Sequence, residues 1–202
     1  MSNSACAGLA VTAHNNASNC VAMLDNVSVN QAPVLAPISN QSLLAGQVLT
    51  VTNSASDADI PAQTLGFGLL ASPGFRLPAG ATINTNTGVF VWRPAIAQSP
   101  STQSVSVVVF DSGIPSMSAT QSFLVTVGRP ARPVISAISV TNGQYGFWVQ
   151  GDAGPDYTIQ VSTNLTSWSA ITTATPASLP WFWMDTNAGP FATRFYRTLL
   201  GP

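Results

Sequence analysis

Asp57 and Asp59 stand one residue apart in the stretch NSASDADIPAQTLGF, within a chain of 202 residues of which only 6% are charged. Every acid in the sequence is an aspartate and every base an arginine, so no lysine or glutamate lies near to temper the pair. In an extended strand residues i and i+2 point to the same side, which would set both carboxylates together and make them repel. Two kinds of chemistry relieve that repulsion. A hard cation such as Ca²⁺ takes about six to eight oxygen ligands and would bind both side chains. Alternatively, each aspartate closes an Asx-turn on the backbone two residues on, as short polar side chains do at strand ends.

Aromatic residues form the second candidate group. Trp181 and Trp183 flank Phe182, so a strand here places both indoles on one face. Together with Trp168 they could stack on sugar rings and take a polysaccharide as ligand. The competing reading is core packing: a segment of about seventy residues needs large side chains inside it, and each aromatic buries about 150–250 Å². Large exposed apolar patches are the rarer finding, so core packing is preferred. Trp92, in the alternating run VFVWRP, reads as core outright.

Little else could do chemistry. His14 is the single histidine, in an Asn-rich turn without an acid to orient it. The aspartates are scattered, whereas acid/base carboxylate pairs need a cleft that separates their pKa values. No glycine loop of the phosphate-binding kind follows a strand, and no Cys/His cluster has zinc spacing. The chain reads as non-enzymatic. Cys6 and Cys20 suggest one disulfide in an exported protein. However, a hairpin of GLAVTA and CVAMLD around HNNASN puts Cys20 opposite Thr12 and leaves Cys6 roughly 20 Å away. A bridge needs Cα atoms within about 7 Å, so this one forms only if the first residues fold back.

Composition narrows the class further. The hydrophobic fraction is 46%, which is not that of a disordered chain, and the net charge is −1. Such a balance offers no electrostatic footprint for nucleic acid or an anionic membrane. A surface poor in charge also weakens intermolecular repulsion, which makes self-association an expectation. No apolar run approaches the roughly 18 residues of a membrane span, and the start lacks the basic region of a signal peptide.

Prolines divide the chain into segments. Residues 1–29 read as a strand–turn–strand extension, marginal as an isolated hairpin. Residues 30–127 carry about seven alternating runs separated by turn clusters such as NTNTG and DSGIPS, the pattern of an immunoglobulin-like sandwich. Residues 128–133, GRPARP, form a proline-stiffened linker. Residues 134–202 repeat the style in a smaller unit: VISAISV, YGFWVQG, YTIQVST, WSAITT, PWFWMD and RFYRTLL. The predicted fold is all-β: tandem immunoglobulin-like β-sandwiches with an N-terminal hairpin.

The residues NQAPVLAPISNQSLLAGQVLTV, ASDADIPAQTL, LPAGATINTNTGVFVWRP and VSVVVFDSGIPS, in that order, resemble the bacterial putative-Ig and cadherin-like modules of large surface proteins. The resemblance implies an extracellular or cell-surface location. It also implies that Asp57 and Asp59 bind calcium at a domain junction, joined by Asn30 just before the first strand and Asp111 late in the fold. The chain departs from the cadherin pattern in having no glutamate, with Gln47 where an acid is sometimes found. GDAGPDYTIQVSTNLTSW and RFYRTLLGP look like a small Ig- or fibronectin-III-like C-terminal β domain of bacterial extracellular multidomain proteins. GLAVTAHNN and MLDNVSV look like the closing strands of a lectin-like jelly roll. The function expected is structural or adhesive, with the chain's partners being copies of itself or neighbouring surface domains. In its sharpest form, residues 1–29 add as a strand to a sheet edge of another copy and build a fibre. The alternatives are a glycan-binding accessory region of a secreted carbohydrate-active enzyme and a passive spacer.

Overall fold

Val105, Val107 and Val109 in strand β8 (Ser101–Phe110) are fully buried. A strand sends alternate residues to opposite faces, and β-branched side chains suit a pleated, half-buried surface. The antiparallel neighbour β9 (Ser118–Gly128) buries Phe123, Val125 and Val127 in the same way. The edges of this sheet are β2 (Gln41–Leu44), parallel to β9, and β5 (Gly66–Leu70), antiparallel to β8. In the computed structural model, which describes residues 29–71, 76–191 and 193–202, a second sheet packs against this one. It is formed by β3 (Leu49–Thr52), β6 (Thr82–Ile83) and β7 (Val89–Trp92), with β7 central. Two short strands, β1 (Val34–Leu35) and β4 (Ala55–Ser56), pair alongside.

Phe90 and Phe123 meet edge to face across the sheets at 5.8 Å. Trp92 is wholly buried, as its alternation predicts, and its indole N–H is satisfied by the Ala79 carbonyl at 3.0 Å. Strand β2 is the element that the hydrophobic pattern misses. Its sequence, QSLL, has no clean alternation, and only the parallel register against β9, from Gln41↔Val125 to Leu44↔Gly128, makes it a strand.

Residues 129–133 lead into a second core. Strands β10 (Val134–Thr141), β11 (Gln144–Gln150) and β14 (Trp181–Asp185) form one sheet, in the order β10-β11-β14. Strands β12 (Asp156–Ser162), β13 (Ser169–Ala174) and β15 (Phe195–Gly201) form the other, with β12 central. Phe147, Val149, Tyr157 and Ile159 are fully buried between them. Asn142 and Gly143 both have positive φ, 51° and 75°, the backbone of a tight hairpin turn matched to strand twist. A register shift between Ser136 and Ser139 bends the β10 edge. The architecture is all-β with Ig-like sandwiches, as the sequence predicts. The hairpin expected within residues 1–28, His14 and the Cys6–Cys20 pair lie outside the described residues.

Candidate functional site

Asn30 is the hub of a polar cluster at one pole of the first sandwich. Its Nδ2 donates to Asp111 Oδ2 at 3.3 Å and to the Pro115 carbonyl at 2.8 Å, and its Oδ1 accepts from Gln63 Nε2. The same Gln63 Nε2 donates to Asp59 Oδ2 at 2.9 Å. Asp59 also accepts from the Gln31 backbone N–H at 2.9 Å, and its own N–H donates to Asp57 Oδ1 at 3.0 Å. A Cβ on Gly113 would lie 2.2 Å from Asn30 Oδ1, so glycine there gives Asn30 its place. The structure thus gathers Asn30, Asp57, Asp59 and Asp111 at one pole, but through amide donors. Gln63 was not singled out from sequence; an amide four residues after Asp59 was the only signal.

Local geometry differs from the strand reading of the aspartate pair. Asp57 and Asp59 lie beyond the end of β4 in irregular backbone, where i, i+2 alternation does not apply. Asp57 makes the Asx-turn to Asp59, and Asp111 makes its own to Gly113 N at 3.0 Å, with Met117 N at 2.9 Å. Burial pushes the Asp111 carboxyl up. The donors Met117 N, Gly113 N, Asn30 and Ser116 outweigh it and hold the group below the usual aspartate range.

The donor set fits a hard cation. Asp57 Oδ2 and Gln63 Oε1 are buried without a partner, and both belong to side chains that touch Asp59. Carboxylate and amide oxygens are the ligands that calcium prefers. Among the described residues the ion pairs are Arg93–Asp156 and Arg194–Asp185, neither of them at this cluster. No three acidic, His or Cys side chains converge on a point among the described residues. Asp57 Oδ2 and the Gln63 amide oxygen are the cluster's two oxygens without a partner, while Asp111 stands across Asn30.

The opposite pole, at the far end of the β8–β9 hairpin, is a joint between the two sandwiches. Arg93, one residue past β7, donates from Nε to the Gly46 carbonyl at 2.7 Å. Its Nη2 reaches Asp156 Oδ1 and the Gly154 carbonyl, each at 2.8 Å, and Nη1 reaches Asp156 Oδ2 at 3.1 Å. A planar guanidinium fork suits this bidentate grip, which an ammonium cannot reproduce. Gln47, which the sequence aligns with an acidic calcium-site position, sits here instead and donates to the Ala153 carbonyl at 3.1 Å. The Ile96 N–H donates to the Pro202 carbonyl at 2.9 Å. The bond from Arg93 is the largest influence on Asp156; despite burial, it and Thr175 hold the carboxyl below its ordinary value.

Gly46 has φ +86°, and a Cβ on it would lie 2.6 Å from Pro155 Cα. Gly46→Ala is expected to cost about 1–2 kcal/mol from left-handed backbone alone, with the clash added, and to lower the melting temperature of the full chain. An unchanged melting curve would show that the joint is not closed as described.

The tryptophans divide by face. Trp181 and Trp183 pack on the second core, with Trp183 5.4 Å from Phe147. Trp168 lies under the Arg197 guanidinium at 4.3 Å and donates to the Leu165 carbonyl. The three therefore form no open row for a sugar. The exposed pair is Trp148, 40% accessible, and Phe182, whose rings incline at 56° to each other.

Residues 32–128 match the model of the family described as Putative Ig domain. That segment is an Ig-like β-sandwich. No curated protein matches the sequence. Among solved structures, the protocadherin GammaB4 extracellular domain is 15% identical at TM-score 0.40, over 61% of this chain and 32% of that one. Human CDH23 EC21-23 is 15% identical at 0.41, over 62% and 47%. A nucleoside hydrolase-related hypothetical protein from Saccharophagus degradans, associated with carbohydrate metabolism, is 16% identical at 0.38, over 48% and 26%. This chain spans less than half the length of each. Among the described residues no helix is long and apolar enough to cross a membrane.

Proposed function

We propose that the protein is a non-catalytic structural or adhesive element of an extracellular assembly, holding two β-sandwiches at a fixed angle. The observation that carries this reading is the Arg93 joint, whose fork grips the backbone of its own sandwich and the carboxylate of the other. Rigid geometry is what a spacer or adhesive stalk requires. Small-angle scattering of the purified chain tests it: one elongated, stiff particle is expected, and a broad distribution of shapes would overturn the reading.

The pole cluster adds a calcium site at Asp57 and Asp59, assisted by Gln63. Bound there, the cation would neutralise the uncompensated carboxylates and stiffen the entry of the chain at Asn30. Calcium at a hundred times its dissociation constant is expected to stabilise the protein by about 2.7 kcal/mol, read as a rise in melting temperature reversed by chelator. The double variant Asp57→Asn/Asp59→Asn should lose that response. Identical melting with calcium and with chelator would rule the site out.

Fibre growth by strand addition has a specific edge to use. Among the described residues strand β14 pairs with β11 alone and ends its sheet, while the opposite edge, β10, is bent by its bulge. Filaments in electron micrographs, lost when Pro replaces Phe182, would support this version; single particles at every concentration would exclude it.

A further inference from the structure

Trp148 and Phe182 face each other across the β11–β14 register, with ring centroids 5.2 Å apart. Phe147 and Val149 point into the second core, so the alternation of β11 turns Trp148 and its flanks Gly146 and Gln150 to the outer face. On β10 the residue opposite Trp148 is Ser136, whose hydroxyl accepts from Gln150 Nε2 at 3.1 Å. A Cβ on Gly146 would lie 2.6 Å from Phe182 Cζ, so the phenyl ring lies over bare backbone and is held there. Two rings, an amide and a hydroxyl thus form one continuous patch. It is also unlike the rest of the surface: among the described residues this is the one ring pair with both members exposed. Arg197 covers Trp168 and Arg194 covers Phe191, each at 4.3 Å, whereas no guanidinium sits on Trp148 or Phe182 among the described residues.

We infer that this outer face binds a neutral polysaccharide, with Trp148 as the stacking ring, Phe182 as a second wall, and Gln150 and Ser136 as hydrogen-bonding partners for its hydroxyls. A sugar presents C–H faces and hydroxyl edges together, and is met by aromatic surface beside uncharged donors and acceptors. Charge points to a neutral ligand. The three strands contain a single charged residue, Asp185, and it is buried in its pair with Arg194. The size of the face argues against a second protein molecule. Three strands at about 4.8 Å spacing and the five residues of β14 at about 3.3 Å each give an area on the order of 250 Å². A stable protein interface takes about 800 Å² from each partner. The rings incline at 56°, a shallow V that grips one chain rather than lying flat on a crystalline surface. The site uses no residue of the Arg93 joint or of the aspartate pole, and depends on neither.

Affinity electrophoresis of the full chain tests this, in gels containing soluble β-glucan, xylan, mannan or glycol chitin, with polygalacturonate as the anionic arm. Retardation by at least one of the neutral polymers is expected. Trp148→Ala should weaken it about tenfold or more, as loss of a central aromatic anchor does, while Trp148→Tyr keeps most of it. Gln150→Ala should weaken it as well with both rings in place, and the melting curve of each variant should match the parent's. Migration unaltered by every neutral polymer would overturn the inference, as would equal retardation of parent, Trp148→Ala and Gln150→Ala. Retardation by polygalacturonate alone would also overturn it, because an anionic polymer would be held by arginine instead.

Discussion

Replacing Phe147 by alanine is expected to unfold the second sandwich while the first stays folded. Phe147 is fully buried, and its ring lies 5.4 Å from Trp183 and 5.2 Å from Tyr196, so its loss opens the centre of the smaller core. Such truncations cost about 3–5 kcal/mol. A unit of this size has a total stability on the order of 5 kcal/mol. The first core, built from Phe90, Trp92, Phe123 and the valines of β8 and β9, shares none of these residues. Amide exchange should show rapid exchange across β10 to β15 and retained protection in β8 and β9. If both regions lose protection together, the sandwiches are one cooperative unit.

Arg93→Ala is expected to free the two sandwiches from each other without unfolding either. The change removes donors from the Gly46 and Gly154 carbonyls and from both oxygens of Asp156. Charge-assisted bonds to a partly buried carboxylate are worth about 1.5–3 kcal/mol each. Because Arg93 and Asp156 keep 29% and 23% of their side-chain surface, solvent screening lowers the total, and a loss of about 1–3 kcal/mol is expected. Distances between spin labels on the two sandwiches should broaden from one narrow peak, and Arg93→Lys should not restore it. An unbroadened distribution would show that other contacts, such as Ile96 to Pro202, hold the joint alone.

Acid should act on the same joint. Arg93, against the opposing effect of burial, holds the folded Asp156 carboxyl below the ordinary aspartate value. The unfolded state thus binds a proton first as pH falls, so the stabilising contribution is complete above about pH 4. It is lost as pH drops through the lower folded value. The label distances should broaden over that acidic range in the parent protein, whereas Arg93→Ala should already be broad at neutral pH.

Much of the fold was legible because strand alternation is local. SVSVVVF in β8 and TIQVS in β12 announce which residues face inward, since the period of two is a property of the backbone itself. Strand β2 was not legible, because its partner β9 lies some eighty residues away and the parallel register supplies what QSLL lacks. The site was legible in part. A pair of aspartates in a charge-poor chain draws the eye, and resemblance added Asn30 and Asp111. Gln63 carried no mark, as an amide becomes a bridge only when two loops close on it.

By itself the sequence determined the chain's all-β character, the inward set of each long strand and the scarcity of charge that makes each carboxylate conspicuous. Tertiary structure alone decided the partners. It made the aspartates neighbours through Asn30 and Gln63, turned Trp181 and Trp183 inward, and brought Arg93 to an aspartate of the other sandwich. The physical reason is range. Backbone geometry fixes alternation between adjacent residues, while ion pairs and amide bridges arise between segments whose separation in sequence carries no periodic signal.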